Sequence, residues 1–239
     1  MKRSLFRKIL FYLSVPRCVC CGAKLSLEEL AFCSDCYKSF SENLERSCSL
    51  CSKRLSTCEC VKDNLKTHFI KKEIKLFRYN RDDEKGTLNS LIYALKRSSR
   101  SDENKLSASL LSDSIKYQLD DCQDLIFTNV PRRRGGISRF GFDQSARLSK
   151  EIAHNLGANY LSLLYSKSKK EQKQLSAEQR LKNVDFSIRK NIDLKNKRVV
   201  IVDDIITTGA SMASAAALIR SLGTKEIYAA ALGIAYYDE

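Results

Sequence analysis

The hydrophobic pattern of this chain switches repeatedly between a strand period and a helix period. The run from Lys197 to Asp204 (KRVVIVDD) holds four consecutive apolar residues, Val199 to Val202. A short continuous β-branched run is how a central parallel strand, buried on both faces, reads. Phe69 to Tyr79 is β-rich and predicts an earlier strand. Leu125 to Val130 predicts another, ended by Pro131. Tyr160 to Tyr165 predicts a short one, and Glu226 to Ala235 the last. Between them, Leu88, Leu91, Ile92 and Leu95 fall at i, i+3, i+4 and i+7 and predict a helix ending near Lys96-Arg97. A second helix is predicted from Glu103 to Leu119. A third runs from Phe142 to Leu156, with Ala146, Ser149, Ile152 and Ala153 on one face and Gly157 at its end. An Ala-rich helix follows Ser211 to about Leu222. Strand and helix alternate, which predicts an α/β fold with a parallel sheet flanked by helices.

Composition narrows the class. A chain of 239 residues has room for one small and one medium domain. With 43% hydrophobic and 29% charged residues it should be globular. No stretch approaches the ~20 apolar residues of a spanning helix, so no transmembrane span is expected. Residues 1–17 are basic and then apolar, but the apolar core is short and interrupted, and no small-residue cleavage site precedes Cys18. They read as an amphipathic segment packing on the rest, with attachment to a membrane surface as the second reading. Without an export signal the expected location is cytoplasmic. The expected division is 1–17, a cysteine-rich unit at 18–65, and an α/β unit at 66–239, with Val61 to Thr67 as the linker.

Nine of the ten cysteines lie between positions 18 and 60. They form Cys18-x₂-Cys21, Cys33-x₂-Cys36, Cys48-x₂-Cys51 and Cys58-x-Cys60. A C-x₂-C turn aims two thiolates at one metal, and two such turns complete a tetrahedral Cys₄ zinc site. Sequential pairing puts Cys18, Cys21, Cys33 and Cys36 in one site and Cys48, Cys51, Cys58 and Cys60 in the other. Interleaved pairing has the same spacing, and one or two zinc ions remain open. A disulfide framework is the competing reading, but it needs an oxidising compartment. Cys20 is a bystander beside two ligands, Cys122 stands alone, and His68 and His154 lack ligand spacing. A unit of about 45 residues with few large apolar groups needs metal to supply folding energy. There are 42 Lys and Arg against 28 Asp and Glu, a formal charge of +14. Two filled Cys₄ sites would lower this to about +10. Either value suits anionic partners such as nucleotides or nucleic acid, without choosing among them.

The densest chemistry lies at Ile201 to Ser211, IVDDIITTGAS. Asp203 and Asp204 sit at the carboxyl end of the buried strand, where ligands of open α/β sheets bind. Two adjacent carboxylates can accept from a vicinal diol and help hold hydrated Mg²⁺. Thr207, Thr208, Gly209, Ala210 and Ser211 then lead into a helix N-terminus, where unpaired N–H groups and the helix dipole favour an anion. Gly209 lets the backbone approach closely. No lysine follows the glycine, so this is not a P-loop.

IVDDIITTGAS resembles the phosphoribosyl-pyrophosphate (PRPP) motif of type I phosphoribosyltransferases. The resemblance extends over most of the chain to the ComF family, in which a cysteine-rich zinc-ribbon domain precedes a phosphoribosyltransferase domain. It is carried by the cysteine array, LIYALK (Leu91 to Lys96), Val130-Pro131, GFDQSARLSK (Gly141 to Lys150) and QKQLSAEQRLKNV (Gln172 to Val184). The resemblance implies a type I phosphoribosyltransferase-like sheet with an N-terminal double zinc ribbon. It implies PRPP with Mg²⁺ as ligand: the acids on the ribose hydroxyls, the turn on the 5′-phosphate, and Lys96, Arg132 and Arg133 with Arg134 against pyrophosphate. Asp203 and Asp204 would be the catalytic residues. Two departures stand out. The family has a Leu-His-Pro-like stretch after Val-Pro and an Arg directly before Gly-Phe, where this chain has three arginines and Phe140. Lys169 stands where the family's mobile loop has threonine, while Gln172, Leu175, Arg180 and Asn183 match it. No C-terminal hood for an acceptor base is expected after the last strand. Two functions follow from the resemblance. One is phosphoribosyl transfer to an unassigned base or nucleotide. The other is PRPP binding without turnover in natural competence and DNA uptake, with single-stranded DNA and a helicase as partners.

Overall fold

The computed structural model describes residues 15–80, 86–97, 101–132, 137, 141–167, 186–189 and 192–235. Its centre is a five-stranded, wholly parallel sheet in the order β1-β7-β6-β2-β3. The strands are β1 (Ile70–Arg78), β2 (Leu125–Asn129), β3 (Asn159–Tyr160), β6 (Arg198–Ile206) and β7 (Glu226–Ile234). Two further strands, β4 (Leu164–Ser166) and β5 (Phe186–Ile188), pair antiparallel as a separate two-stranded sheet. The stretch read as one strand at Tyr160 to Tyr165 is therefore two. Tyr160 ends the parallel edge, and Leu164 opens the small sheet.

The β6 run is central because both its faces are covered. Val199, Val200, Ile201 and Val202 are all fully buried. Val200 and Val202 join one core with Leu91, Ile92, Leu111, Ile115 and Ile152. Val199 and Ile201 join the other with Met212, Ala215, Ala216 and Ile219. Each of these buried valine, leucine, isoleucine and methionine side chains contributes roughly 2 kcal/mol by burial. On the first face lie α3 (Thr87–Arg97), α4 (Ser101–Gln118) and α5 (Gln144–Asn155). On the second lies α6 (Ala210–Arg220), whose alanines let it pack closely on the sheet. These helices fall within a few residues of the predicted ones. The α/β reading holds.

The cysteine-rich region carries α1 (Ser34–Leu44). Its Leu25, Ala31, Phe32 and Phe40 are buried in the first core, so it packs on the α3 side of the sheet. The segment read as a linker is more ordered than its sequence suggests. It holds a one-turn helix, α2 (Asp63–Lys66), which crosses the expected 65/66 boundary and fully buries Leu65 in the second core. Among the described residues, no helix is long and apolar enough to cross a membrane. Residues 1–14, Arg133, Arg134 and the loop positions Lys169, Gln172, Leu175, Arg180 and Asn183 lie outside the described residues.

Candidate functional site

The two acids sit where β6 leaves the sheet's centre, and each is held by its own hydrogen bonds. Asp203 Oδ1 accepts from Ser145 Oγ at 2.8 Å and from the Asp204 N–H at 2.9 Å. Asp204 Oδ1 accepts from the Ile205 N–H at 2.8 Å, and its Oδ2 accepts from Gln144 Nε2 at 3.2 Å. Lys96 Nζ lies 3.3 Å from the same Oδ2. Burial, and then the neighbouring Asp204 charge, push the Asp203 carboxyl up to about 8, against which Ser145 and Lys96 act. Two adjacent carboxyls, one buried and one half-buried, cannot both shed their protons cheaply.

Gln144 and Ser145 belong to the first turn of α5, whose N-cap Asp143 accepts from the Ala146 N–H. The sequence placed them in a helix without a role at the site. The available signal was two polar side chains directly after an N-cap aspartate, at the end of a helix that follows a strand.

Beyond the acids the chain makes its turn. Gly209 is the N-cap of α6 and adopts φ +80°, the left-handed conformation that glycine takes without penalty. Thr208 Oγ1 accepts from the Ala210 N–H, and Gly209 O receives the first helical bond from Ala213. Asp203, Thr207, Thr208, Gly209, Ala210 and Ser211 all line one cavity of about 180 Å³. Its size and its open helix N-terminus suit a phosphate group.

The strand-end arginine is placed differently. The Arg132 N–H donates to Asp143 Oδ2, and Arg132 Nη1 donates to the Phe142 carbonyl. Arg132 lines a second cavity of about 350 Å³ with Lys150, Tyr160, Tyr165 and Arg189, none of which lines the phosphate-sized one. Lys96 is thus brought onto the acid pair, and Arg132 onto the second cavity.

The cysteines form two separate groups. The sulfurs of Cys18, Cys21, Cys33 and Cys36 lie within 4.8 Å of one another, as do those of Cys48, Cys51, Cys58 and Cys60. This is the sequential arrangement. Cys21 and Cys33 sulfurs are 3.6 Å apart, and so are those of Cys51 and Cys58. Zn–S bonds of about 2.3 Å arranged tetrahedrally put sulfurs about 3.8 Å apart, so the spacing fits a shared zinc and is far too long for a disulfide. Burial opposes ionisation of Cys18, but the Cys21, Cys33 and Cys20 backbones outweigh it and bring the thiol down to about 7. Cys48 follows the same pattern: burial opposes, the Leu50 and Cys51 backbones prevail, and its thiol falls to about 6. One thiol of each group is thus brought toward thiolate, while burial and the neighbouring cysteines push Cys36, Cys58 and Cys60 up, so that metal has to supply the charge that lets these thiols ionise.

A parallel sheet with an acid pair and a glycine turn beyond its central strand defines a phosphoribosyltransferase-type fold. Residues 136–233 match the phosphoribosyl transferase domain family. A ribose-phosphate pyrophosphokinase from Thermococcus kodakarensis is 56% identical over 41 residues, 17% of this chain and 15% of that protein. Competence protein F of Haemophilus influenzae is 33% identical over 95 residues, 37% of this chain and 41% of that protein. Competence protein ComFC of Streptococcus pneumoniae is 24% identical over 203 residues, 84% of this chain and 86% of that protein. The chain spans only a small part of the pyrophosphokinase and less than half of competence protein F. The chain carries a phosphoribosyl transferase domain, and its resemblance to the ComF family is borne out.

Proposed function

We propose that this protein binds PRPP with Mg²⁺ at the β6–α6 junction and acts in the cytoplasm in the handling of incoming DNA. One observation carries the PRPP reading: the carboxylate of Asp203 lines the same small cavity as the Thr207 to Ser211 turn. A ribose held by Asp203 and Asp204 thus has a place for its 5′-phosphate beside it. The cysteine groups bind one zinc each, and that metal supplies folding energy to the cysteine-rich unit.

Transfer, where it occurs, breaks the bond from ribose C1 to pyrophosphate and forms one from C1 to an acceptor. The pair of electrons leaves with pyrophosphate, and positive charge builds on the ring. Asp203 and Asp204 orient the ribose by accepting from its hydroxyls. The turn's N–H groups fix the 5′-phosphate. Lys96, already at the acids, is the cation best placed to meet the leaving pyrophosphate. Mg²⁺, when bound, supplies further charge neutralisation. Thermal stabilisation by PRPP with Mg²⁺ tests binding; no shift at millimolar ligand sinks it. Pyrophosphate release across a panel of bases and nucleic acids tests turnover.

A second reading is favoured by the charge of +14 and by the relatives named for competence. It is sequence-independent binding of single-stranded DNA, with PRPP as a signal and a helicase as partner. Its affinity should fall steeply with salt. Affinity that is flat between low and moderate salt counts against it.

A further inference from the structure

We propose that Lys62 and Asn64, in and just before α2, are positioning residues that set the phosphate turn and tie its geometry to the second cysteine group. The proposal rests on the reading of that turn as the 5′-phosphate site of PRPP. Lys62 Nζ donates to the carbonyl of Thr207 and, at 2.6 Å, to that of Ala235. Asn64 Nδ2 donates to the carbonyl of Thr208. In a trans peptide the carbonyl and the following N–H point in opposite directions. Pinning the Thr207 and Thr208 carbonyls toward α2 therefore turns the N–H groups of Thr208 and Gly209 the other way. A turn held from behind presents its donors without reorganising when the anion arrives.

The fit between the two segments is close. A Cβ built on Gly209 would lie 2.8 Å from Asn64 Nδ2 and 3.0 Å from Leu65 Cδ2. The glycine is thus needed both for its left-handed φ and for the approach of α2.

The other end of the contact reaches the cysteines. Lys62 lies two residues after Cys60, and its backbone N–H donates to Glu73 Oε2 at 2.8 Å. Lys75 Nζ donates to the Cys60 carbonyl and to that of Glu73. Glu73 and Lys75 are both buried in β1. Burying charges inside a sheet face is weak as a source of stability, and its best-attested use is to fix one arrangement among several. Here it fixes where the chain leaves Cys60, and so where Lys62 and Asn64 stand. Metal at Cys48, Cys51, Cys58 and Cys60 would hold the same stretch from its other side.

The test compares full-length, zinc-loaded wild type with Asn64→Ala and Lys62→Met. Asn64 is exposed, so its variant should fold; melting and zinc content verify both. Titrations use PRPP with Mg²⁺, ribose 5-phosphate, and pyrophosphate with Mg²⁺. Each variant should weaken PRPP and ribose 5-phosphate by about tenfold, the size of one lost positioning bond, and leave pyrophosphate within twofold. Equal loss for all three ligands would mean general damage and overturns the proposal. Wild-type PRPP binding that both variants retain within twofold overturns it too, while leaving the PRPP reading standing. Absence of binding by wild type overturns the reading itself.

Discussion

Lys96 Nζ stands 3.3 Å from Asp204 Oδ2, across from an acid pair in which Asp203 is pushed up to about 8. Burial and then the adjacent Asp204 charge hold the proton on Asp203, against the pull of Ser145 and Lys96. The Asp203 value in the fold lies above its ordinary 3.8. The folded state then holds a proton that the unfolded chain has released, and stability falls as pH rises through that window. Asp203→Asn removes the titration. Its stability relative to wild type should grow from about pH 4 to about pH 8 and level off above. Denaturant midpoints of the two proteins at matched pH measure this. Parallel curves would show that Asp203 titrates as it does in water.

The two halves of the cysteine array are copies of one turn, thirty residues apart. Gly22 follows Cys21 with φ +74°, and Ser52 follows Cys51 with φ +59°. The matching bonds run from the Gly22 N–H to the Cys18 carbonyl and from the Ser52 N–H to the Cys48 carbonyl. Serine in a left-handed conformation costs about 1 kcal/mol relative to glycine. Ser52→Gly should therefore raise stability by about that amount and leave zinc content unchanged. An unchanged or lower melting temperature would show that the serine side chain offsets the backbone cost.

Metal stoichiometry distinguishes the two groups. The wild type should bind two zinc ions, and Cys60→Ser should bind one tightly. Because the ligands must be thiolates, protons compete with the metal, and zinc should leave as the pH is taken into the acid range. Atomic absorption after dialysis at stepped pH gives both numbers. Retention of two ions by Cys60→Ser would remove Cys60 from the ligand set.

Much of this was legible in the sequence because the physics was local. The β6 run, the acids at its end and the glycine turn are contiguous, and knuckle spacing marks the cysteines as ligands, although only the structure chooses the sequential pairing over the interleaved one. What escaped depends on tertiary cover. Glu73 and Lys75 alternate with Ile74 and Leu76, the pattern of a strand with one wet face. Both are buried because the stretch after Cys60 lies over that face, as the Lys75 bond to the Cys60 carbonyl shows. The segment at Val61 to Thr67 has too few apolar residues to predict a helix, and α2 is held instead by Leu65 and by bonds to residues over 140 positions away. The β5 strand is three residues long, and no period can be read from three residues.

Gly209 offers the sharpest stability test. Alanine there meets two separate penalties. Its φ of +80° costs about 1–2 kcal/mol for any residue with a Cβ. The new methyl also meets Asn64 and Leu65 at 2.8 and 3.0 Å. Asn64→Ala removes only the first of those contacts and leaves the backbone cost in place. In the Gly209→Ala background it should therefore destabilise less than it does alone, or even restore stability. The coupling between the two positions should be on the order of 1 kcal/mol, as for side chains in direct contact. Denaturant unfolding of the two single variants and the double variant closes the cycle. Strict additivity would mean that α2 shifts away from the turn at no cost, and that the contact seen between Asn64 and Gly209 is not a rigid one.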